Sequence, residues 1–311
     1  MTVGCYCFGK FPPLLRREGI GVSWLKIGII GAGRVGCALA IGLKEKGFEI
    51  AGIYSRSVNS VEYLNSRLGI NVINDIFPTV QNSDAIFITV PDGQINSVAE
   101  KININILDVR GKIFLHCSGA STSDELALLH DAGAHIGSLH PIQTFADSEN
   151  GWKGLDNIYF GFEGSEKSLI FARAIVNAFN SKLLIIDKEN KTLYHAAASM
   201  LSNYTVTLSY IAGKLLGKAG IETADGMEAF MPLMKRTVEN ITASGSAAAL
   251  TGPISRGDVK TVEAHIIKIK EETPELLEVY KALGRKTIEI AALKGSINSE
   301  YAEKLKDLFK D

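Results

Sequence analysis

The feature that most constrains this chain is a glycine-rich turn between an apolar run and an amphipathic helix pattern. Residues 26–30 are apolar and β-rich, and Gly31, Gly33 and Gly36 follow them at the spacing Gly-x-Gly-x-x-Gly. Such a turn lets the backbone approach a pyrophosphate and points the next helix N-terminus at the phosphates. A helix pattern and then a second strand at 49–54 complete the context that a dinucleotide site requires.

Strand and helix patterns alternate as far as residue 187, and only helix patterns follow. Further strands are predicted near Val72-Ile73 and at 84–90, 112–117, 135–139, 157–162 and 183–187. This alternation predicts an α/β fold with a doubly wound, mostly parallel sheet of the Rossmann type. The later helices are predicted at 191–218, 225–243, 258–272, 274–294 and 299–309. We therefore expect a disordered tail at 1–23, a dinucleotide-binding Rossmann domain with extra strands at 24–188, and an all-helical domain for substrate binding and dimerisation at 189–311.

Composition excludes several classes of function. The 311 residues carry a net charge of −1, so no basic field is available for nucleic acid. No apolar run reaches the roughly 18 residues that a membrane span needs. The four cysteines (Cys5, Cys7, Cys37 and Cys117), without a secretory signal, predict a reducing cytoplasm, and no second Cys/His pair suggests a metal. An alternative for the tail is that translation begins at Val22.

The end of the second strand indicates which dinucleotide is bound. An NAD site places Asp or Glu near this point to accept a hydrogen bond from the ribose 2′-hydroxyl. The chain instead has Ser55, Arg56 and Ser57, and a guanidinium between two hydroxyls suits a 2′-phosphate. We therefore expect NADP(H) as the cofactor. The residues predicted to bind it are Gly31, Ala32, Gly33, Arg34, Val35, Gly36, Ser55, Arg56, Ser57, Val90, Pro91 and Asp92.

Candidate substrate residues follow two neighbouring strands, because open α/β sheets bind ligands beyond the carboxyl ends of their strands. His116 and Ser118 end one strand, and His140 and Gln143 end the next. The alternative for each histidine is a structural residue whose hydrogen bonds are satisfied inside the fold.

The helical domain adds a polar helix face and a glycine-flanked loop. His195, Ser199 and Asn203 are four residues apart and therefore lie on one side of a helix. Ordinary surface exposure is the alternative for all three. On the loop, Arg256 is a candidate clamp for an anionic substrate, and Asp258 is expected to cap the next helix.

Three longer motifs resemble one family. They are Ser-Leu-His-Pro-Ile-Gln-Thr-Phe at 138–145, Tyr-His-Ala-Ala-Ala followed by Ser-Asn within 194–203, and Leu-Thr-Gly-Pro-Ile-Ser-Arg-Gly-Asp at 250–258. Together they are similar to Rossmann-like oxidoreductases with a C-terminal domain of unknown function. That group is related to pyrroline-5-carboxylate reductase, prephenate dehydrogenase, ketopantoate reductase and the β-hydroxyacid dehydrogenases. The resemblance implies a C-terminal domain like that of 6-phosphogluconate dehydrogenase, which caps the nicotinamide and forms a homodimer.

The resemblance also bears on individual residues. His140-Pro141 resembles the His-Pro that prephenate dehydrogenases carry at an equivalent strand end, although the Met and Gly of their motif are absent here. His195 looks like a member of the Lys/Asn helix of the hydroxyacid dehydrogenases. His140 and His195 are thus the two candidate acids, with Lys191 as the alternative. The predicted catalytic set is His140, His195, Ser118 and Asn203, and the predicted substrate-binding residues are His116, Gln143, Ser199 and Arg256.

These features predict an NADP(H)-dependent oxidoreductase that transfers a hydride to or from a small carbonyl, imine or hydroxy-acid substrate. A non-catalytic NADP(H)-binding sensor or scaffold is the alternative. The predicted helices carry more apolar surface than one sheet edge can cover, in stretches at 196–200, 247–250 and 266–269. We therefore expect a homodimer that forms through the helical domain.

Overall fold

The computed structural model describes residues 25–70, 75–105, 108–147 and 149–310. Contacts divide the chain into a sheet-containing unit that ends at Ser202 and a helical unit that begins at Asn203. The tail predicted at 1–23 and the strand predicted near Val72-Ile73 lie outside the described residues.

Seven strands form one sheet in the first unit, in the order β2-β1-β3-β4-β5-β6-β7. They are β1 (Lys26–Ile30), β2 (Glu49–Tyr54), β3 (Ala85–Ile88), β4 (Ile113–His116), β5 (His135–Pro141), β6 (Tyr159–Gly164) and β7 (Lys182–Ile185). The chain order reverses at β1, which lies between β2 and β3, so the crevice that binds ligands in such sheets opens there. This sheet confirms the predicted doubly wound fold.

One pair of neighbouring strands departs from the parallel arrangement. β5 and β6 pair antiparallel, with His140 opposite Gly161, whereas the other strand pairs described are parallel. A parallel neighbour needs a crossover, usually a helix. The described residues between Pro141 and Tyr159 contain only the single 3₁₀ turn Gly151–Leu155, so the chain simply returns beside β5.

Helices cover both faces of the sheet. They are α1 (Arg34–Glu45), α2 (Val58–Leu68), α3 (Ile76–Gln81), α4 (Ile95–Asn105), α5 (Ala127–Asp131) and α6 (Glu166–Ala178). Residues of one strand alternate between two cores: Ile29 packs in the cluster that includes α1 and α6, and Ile30 packs in the cluster that includes α4. Continuous apolar strands are therefore buried on both sides, as parallel strands usually are.

Long helices make up the second unit. α7 (Lys191–Lys218) has its first turns, up to Ser202, in the sheet-containing unit. The others are α8 (Thr223–Ala249), α9 (Val259–Glu272), α10 (Leu277–Lys294) and α11 (Ser299–Leu308). α8 continues past the predicted end at residue 243, with a non-helical residue, Gly245, inside it. Val262, Ile288, Leu305 and Phe309 form the centre of this unit's core.

Candidate functional site

The glycine-rich turn after β1 has no room for side chains at two of its three glycines. Gly31 has a φ of +105°, and a Cβ there would lie 2.9 Å from the carbonyl of Thr89. A Cβ on Gly36 would lie 1.9 Å from the carbonyl oxygen of Gly31, so only glycine lets α1 start this close to β1. At Gly33 a Cβ would meet nothing within 4 Å, because that position faces open space.

A cavity of about 240 Å³ lies in front of this turn, at the carboxyl ends of β1, β2 and β3. Its lining residues are Gly31, Ala32, Gly33, Tyr54, Ser55, Arg56, Ser57, Ser60, Thr89, Val90 and Pro91. Eight of the twelve residues predicted to bind the cofactor are in this lining; Arg34, Val35, Gly36 and Asp92 are not. Among the lining residues none is acidic, and the open backbone cradle at Gly33 fits a dinucleotide phosphate.

The strand-end serines hold Arg56 at the edge of this cavity. The hydroxyl of Ser55 accepts a hydrogen bond from the backbone N–H of Ser57 at 3.1 Å, and the hydroxyl of Ser57 accepts one from Ser60 as the N-cap of α2. The exposed Arg56 guanidinium donates to the Gln94 side-chain oxygen at 2.7 Å. That partner is neutral, so the positive charge of Arg56 is not neutralised by this contact.

The loop after β4 is fixed by Ser118. Its hydroxyl donates to Asp92 at 2.7 Å and accepts from the backbone N–H groups of Ala120 and Ser121 at 3.1 and 2.9 Å. One donor and two acceptor positions are all that a serine hydroxyl offers. Ser118 therefore joins this loop to the residue after Pro91, and in this conformation its hydroxyl has no capacity left for a substrate.

His116 is held inside the fold in the same way. It is fully buried, Nδ1 accepts from the N–H of Ser118 at 3.2 Å, and Nε2 lies 3.0 Å from the carbonyl oxygen of Thr122. Burial, together with the nearby Lys191 ammonium, lowers the pKa of His116 to about 3, so the ring is neutral and donates through Nε2. Both ring nitrogens are thus engaged with the backbone, and the substrate contact predicted for His116 finds no support in this arrangement.

The rings of His140 and His195 pack against each other beside Gly119. Their ring centroids are 6.1 Å apart, at an interplanar angle of 72°. A Cβ on Gly119 would lie 2.6 Å from Cδ2 of His195 and 2.9 Å from Cε1 of His140. The end of β5 and the start of α7 therefore bring the two predicted acids together, and the absence of a side chain at the glycine after Ser118 leaves room for both rings.

His140 is neutral in this environment. Burial, together with the neighbouring His195 and Lys191 side chains, lowers its pKa to about 4, against a small opposing effect of Asp92. On the side away from Gly119, Nδ1 of His140 lies 2.8 Å from the hydroxyl of Tyr194. At neutral pH this imidazole can donate or accept a hydrogen bond but carries no charge.

A buried lysine, Lys191, lies close enough to His140 to affect its charge. Lys191 is 1% exposed, and its Nζ has no hydrogen-bond partner among the residues that the structure describes. The nearest carboxylate oxygen, Oε2 of Glu163, is 3.8 Å away, while Glu163 itself accepts from the N–H and hydroxyl of Ser123. Burial lowers the pKa of Lys191 to about 8, and Glu163 partly opposes that shift.

The remaining predicted residues are spread over both units. Gln143 is exposed in the loop after β5, and Ser199 is half-buried one turn after His195 in the first unit. Asn203 is exposed at the start of the second unit, and Arg256 lies in a short 3₁₀ turn of that unit. The expected cap at Asp258 is confirmed, since its carboxylate accepts from the backbone N–H of Thr261 at 3.1 Å.

Five residues that shape these two sites were not among the predicted site residues. Tyr54, Ser60 and Thr89 line the cavity, Gly119 lies beside the two imidazoles, and Tyr194 binds one of them. All but Ser60 directly adjoin a predicted site residue in the sequence, and that adjacency was the available signal. Ser60 carries no such signal.

The described residues contain neither a metal-binding cluster nor a membrane-spanning helix. No group of three or more His, Cys, Asp or Glu side chains within 25–70, 75–105, 108–147 and 149–310 is arranged to hold a metal ion. Over the same ranges no helix combines the length and the apolar character needed to cross a membrane.

Two family models match the chain side by side. A Rossmann-like domain model matches residues 15–141, and the domain of unknown function DUF2520 matches residues 158–287. Among curated proteins, none matches the sequence at a significant level.

Solved structures resemble the chain over most of its length. A Bacteroides fragilis protein named as a candidate NADP oxidoreductase is 22% identical, with a TM-score of 0.69 over 88% of this chain and 100% of its own. An imine reductase from a Pseudomonas species is 16% identical, with a TM-score of 0.60 over 88% and 100%. A 1-pyrroline-5-carboxylate reductase from Streptococcus pyogenes is also 16% identical, with a TM-score of 0.58 over 92% and 99%. At these identities the likeness establishes the fold.

Proposed function

The chain joins a Rossmann-like domain to a domain of the DUF2520 family, and we propose that it is an NADP(H)-dependent oxidoreductase. It transfers a hydride to or from a small carbonyl, imine or hydroxy-acid compound. Among these the imine is the favoured substrate class, because two proteins of similar fold are named as reductases of an imine and of 1-pyrroline-5-carboxylate.

The observation that carries this proposal is the continuity between the cavity and the imidazole pair. Pro91 lines the cavity, and the next residue, Asp92, binds the hydroxyl of Ser118 at 2.7 Å. Gly119 follows, and a Cβ on it would lie 2.6 Å from Cδ2 of His195 and 2.9 Å from Cε1 of His140. A ligand that extends from the glycine turn along the carboxyl ends of β1, β3 and β4 would therefore end beside two imidazoles.

The cavity supports a phosphorylated cofactor. Gly31 and Gly33 would receive the pyrophosphate at the N-terminus of α1, and Arg56 with Ser57 would receive the ribose 2′-phosphate. The absence of an acid from the lining residues removes the group that accepts from an unphosphorylated ribose. When bound, the nicotinamide supplies or accepts the hydride.

The chain's own residues would manage the proton. Reduction adds a hydride to the C=O or C=N carbon and a proton to the oxygen or nitrogen. His140 is neutral and offers a hydrogen bond to that atom, which polarises the double bond. His195, across Gly119, is the candidate donor of the proton itself, and the ammonium of Lys191 disfavours a second positive charge on the pair.

Binding and turnover of single-histidine variants test this proposal. Full-length protein should bind NADPH and oxidise it in the presence of small cyclic imines or of a small-molecule cell extract. His140→Ala and His195→Ala should each lower kcat by about 10²- to 10⁴-fold without weakening the binding of NADPH. His265→Ala, which removes an exposed histidine of the helical unit, should leave kcat unchanged.

Two outcomes would count against an enzyme. NADPH binding without oxidation in any mixture would favour the non-catalytic sensor or scaffold. Unchanged kcat in both active-site variants would remove the imidazoles from the reaction.

We also propose that the exposed apolar side chains of α7 and α8 bind a second copy of the chain. Large apolar side chains are exposed on α7 and α8: Leu201 is 82% exposed, Val206 69% and Leu233 62%. In the stretch predicted at 266–269, Ile267 is 52% exposed, whereas Ile269 is buried within the unit. Patches of this kind mark interfaces.

Sedimentation of the unmutated protein should give a dimer at micromolar concentration. The double variant Leu201→Glu with Val206→Glu should give a folded monomer. A monomeric unmutated protein would refute the dimer.

A further inference from the structure

Tyr194 meets His140 in a defined geometry. The phenol oxygen lies 2.8 Å from Nδ1, and the two rings pack edge to face, at 5.8 Å between centroids and 87° between planes. Tyr194 directly precedes His195 on α7, so two adjacent residues of one helical turn both pack edge to face with the His140 ring.

The strand next to β5 is shaped to receive this hydroxyl. Gly161 of β6 lies opposite His140 in the antiparallel pair. A Cβ on Gly161 would lie 2.6 Å from the Tyr194 hydroxyl oxygen and 2.7 Å from Ile186. The missing side chain at 161 is therefore what allows the phenol to reach Nδ1.

The chemistry of the two groups decides the direction of the hydrogen bond. Burial raises the pKa of Tyr194 to about 12, so the phenol keeps its proton. His140 is neutral, because burial lowers its pKa to about 4. A phenol is a stronger hydrogen-bond donor than acceptor, and a bare imidazole nitrogen is a stronger acceptor than a phenol oxygen. The O–H···Nδ1 arrangement is therefore the favoured one, and it leaves the single ring proton on the other nitrogen.

We propose that Tyr194 is a positioning residue for His140: its hydroxyl donates to Nδ1 and so fixes the ring proton on Nε2. Nε2 is the nitrogen on the Gly119 side, where a Cβ on that glycine would lie 3.0 Å away. The ring therefore presents an N–H to the space shared with His195. The role in catalysis rests on the proposed function, whereas the position of the proton does not.

The charged surroundings of the ring are compatible with this assignment. Lys191 and His195 on α7 both disfavour a second proton on His140, and Asp92 after β3 favours one more weakly. Glu163 on β6 is directed to Lys191 and Ser123. The tyrosine hydroxyl is the group that distinguishes Nδ1 from Nε2.

Nitrogen NMR of the histidine rings, on full-length protein with ¹⁵N-labelled histidine, tests the proposal directly. In the unmutated protein His140 should show a protonated Nε2 and a bare Nδ1. Tyr194→Phe should produce a mixture of the two tautomers and lower kcat by roughly three- to tenfold, with KM for NADPH unchanged. Gly161→Ala keeps the hydroxyl but displaces it, and should give the same mixture.

The chain supplies a matched control. Tyr280 donates or accepts at Nδ1 of His265 at 2.9 Å, with the rings again edge to face, in the helical unit. Tyr280→Phe removes the same kind of bond and should change neither the His140 signals nor kcat.

The outcomes separate the two proposals. A proton on Nδ1 of His140 in the unmutated protein, or a tautomer that Tyr194→Phe leaves unchanged, overturns the positioning role. The expected tautomer in a protein that transfers no hydride would support the positioning of the ring and overturn the proposed reaction.

Discussion

Gly119→Ala tests the imidazole pair by adding one methyl group between the rings. The methyl carbon would lie 2.6 Å from Cδ2 of His195 and 2.9 Å from Cε1 of His140. Ordinary carbon contacts begin near 3.5 Å, so one or both rings must move by about 0.5–1 Å. Gly119 does not have a positive φ, so alanine fits its backbone and the effect comes from the methyl group alone.

The displacement should affect turnover far more than cofactor binding. A misplacement of about 1 Å in a catalytic group can cost roughly 100-fold in rate, and overpacking costs about 1–3 kcal/mol of stability. We therefore expect kcat to fall by about two orders of magnitude, while the Kd for NADPH changes less than about twofold because Gly119 does not line the cavity.

Steady-state kinetics with a turned-over substrate, calorimetry with NADPH and urea unfolding measure the three quantities. Gly93→Ala is the matched control, since a Cβ there would meet nothing within 4 Å. If Gly119→Ala is folded and retains the kcat of the unmutated protein, the two rings do not form the reacting site.

Three other predictions concern single residues. Arg56→Ala should weaken the binding of NADPH by roughly 10- to 100-fold in a titration and leave the affinity for NADH unchanged, because the substitution removes a charge-assisted phosphate contact. Burial lowers the pKa of Lys191 from 10.5 to about 8, so its charge destabilises the fold below pH 8 and this cost disappears as the pH rises toward 10.5. Between pH 7 and 10, the unfolding free energy of the unmutated protein should therefore rise by about 2–3 kcal/mol relative to Lys191→Met, and exposed Lys188→Met should follow the unmutated protein. Asp258→Ala should lower the unfolding free energy by about 1 kcal/mol in urea, because the backbone N–H of Thr261 loses its cap.

Elements whose structure depends on residues close together in the sequence could be predicted from it. The position of the glycine turn, the end of β2 at Tyr54 and the whole of α7 follow from residue spacing and are present as predicted. The carboxyl-end rule also selected His140, which lies near the carboxyl end of β5.

Features that depend on distant residues could not be read in this way. Tyr194 is 54 positions from the histidine that it binds, and Ser123 is 40 positions from Glu163. The commitment of the Ser118 hydroxyl to two backbone N–H groups depends on the exact path of a loop. A hydroxyl at a strand end looks the same in sequence whether it binds a substrate or its own backbone.

Hydride transfer from labelled cofactor tests the central claim most directly. Full-length protein would receive NADPH deuterated on one face of nicotinamide C4, then on the other, together with small cyclic imines and a small-molecule cell extract. The account predicts deuterium on carbon in a reduced product from one face only, and none when His140 and His195 are both replaced by alanine. A protein that binds NADPH tightly yet moves deuterium from neither face into any compound would contradict the account.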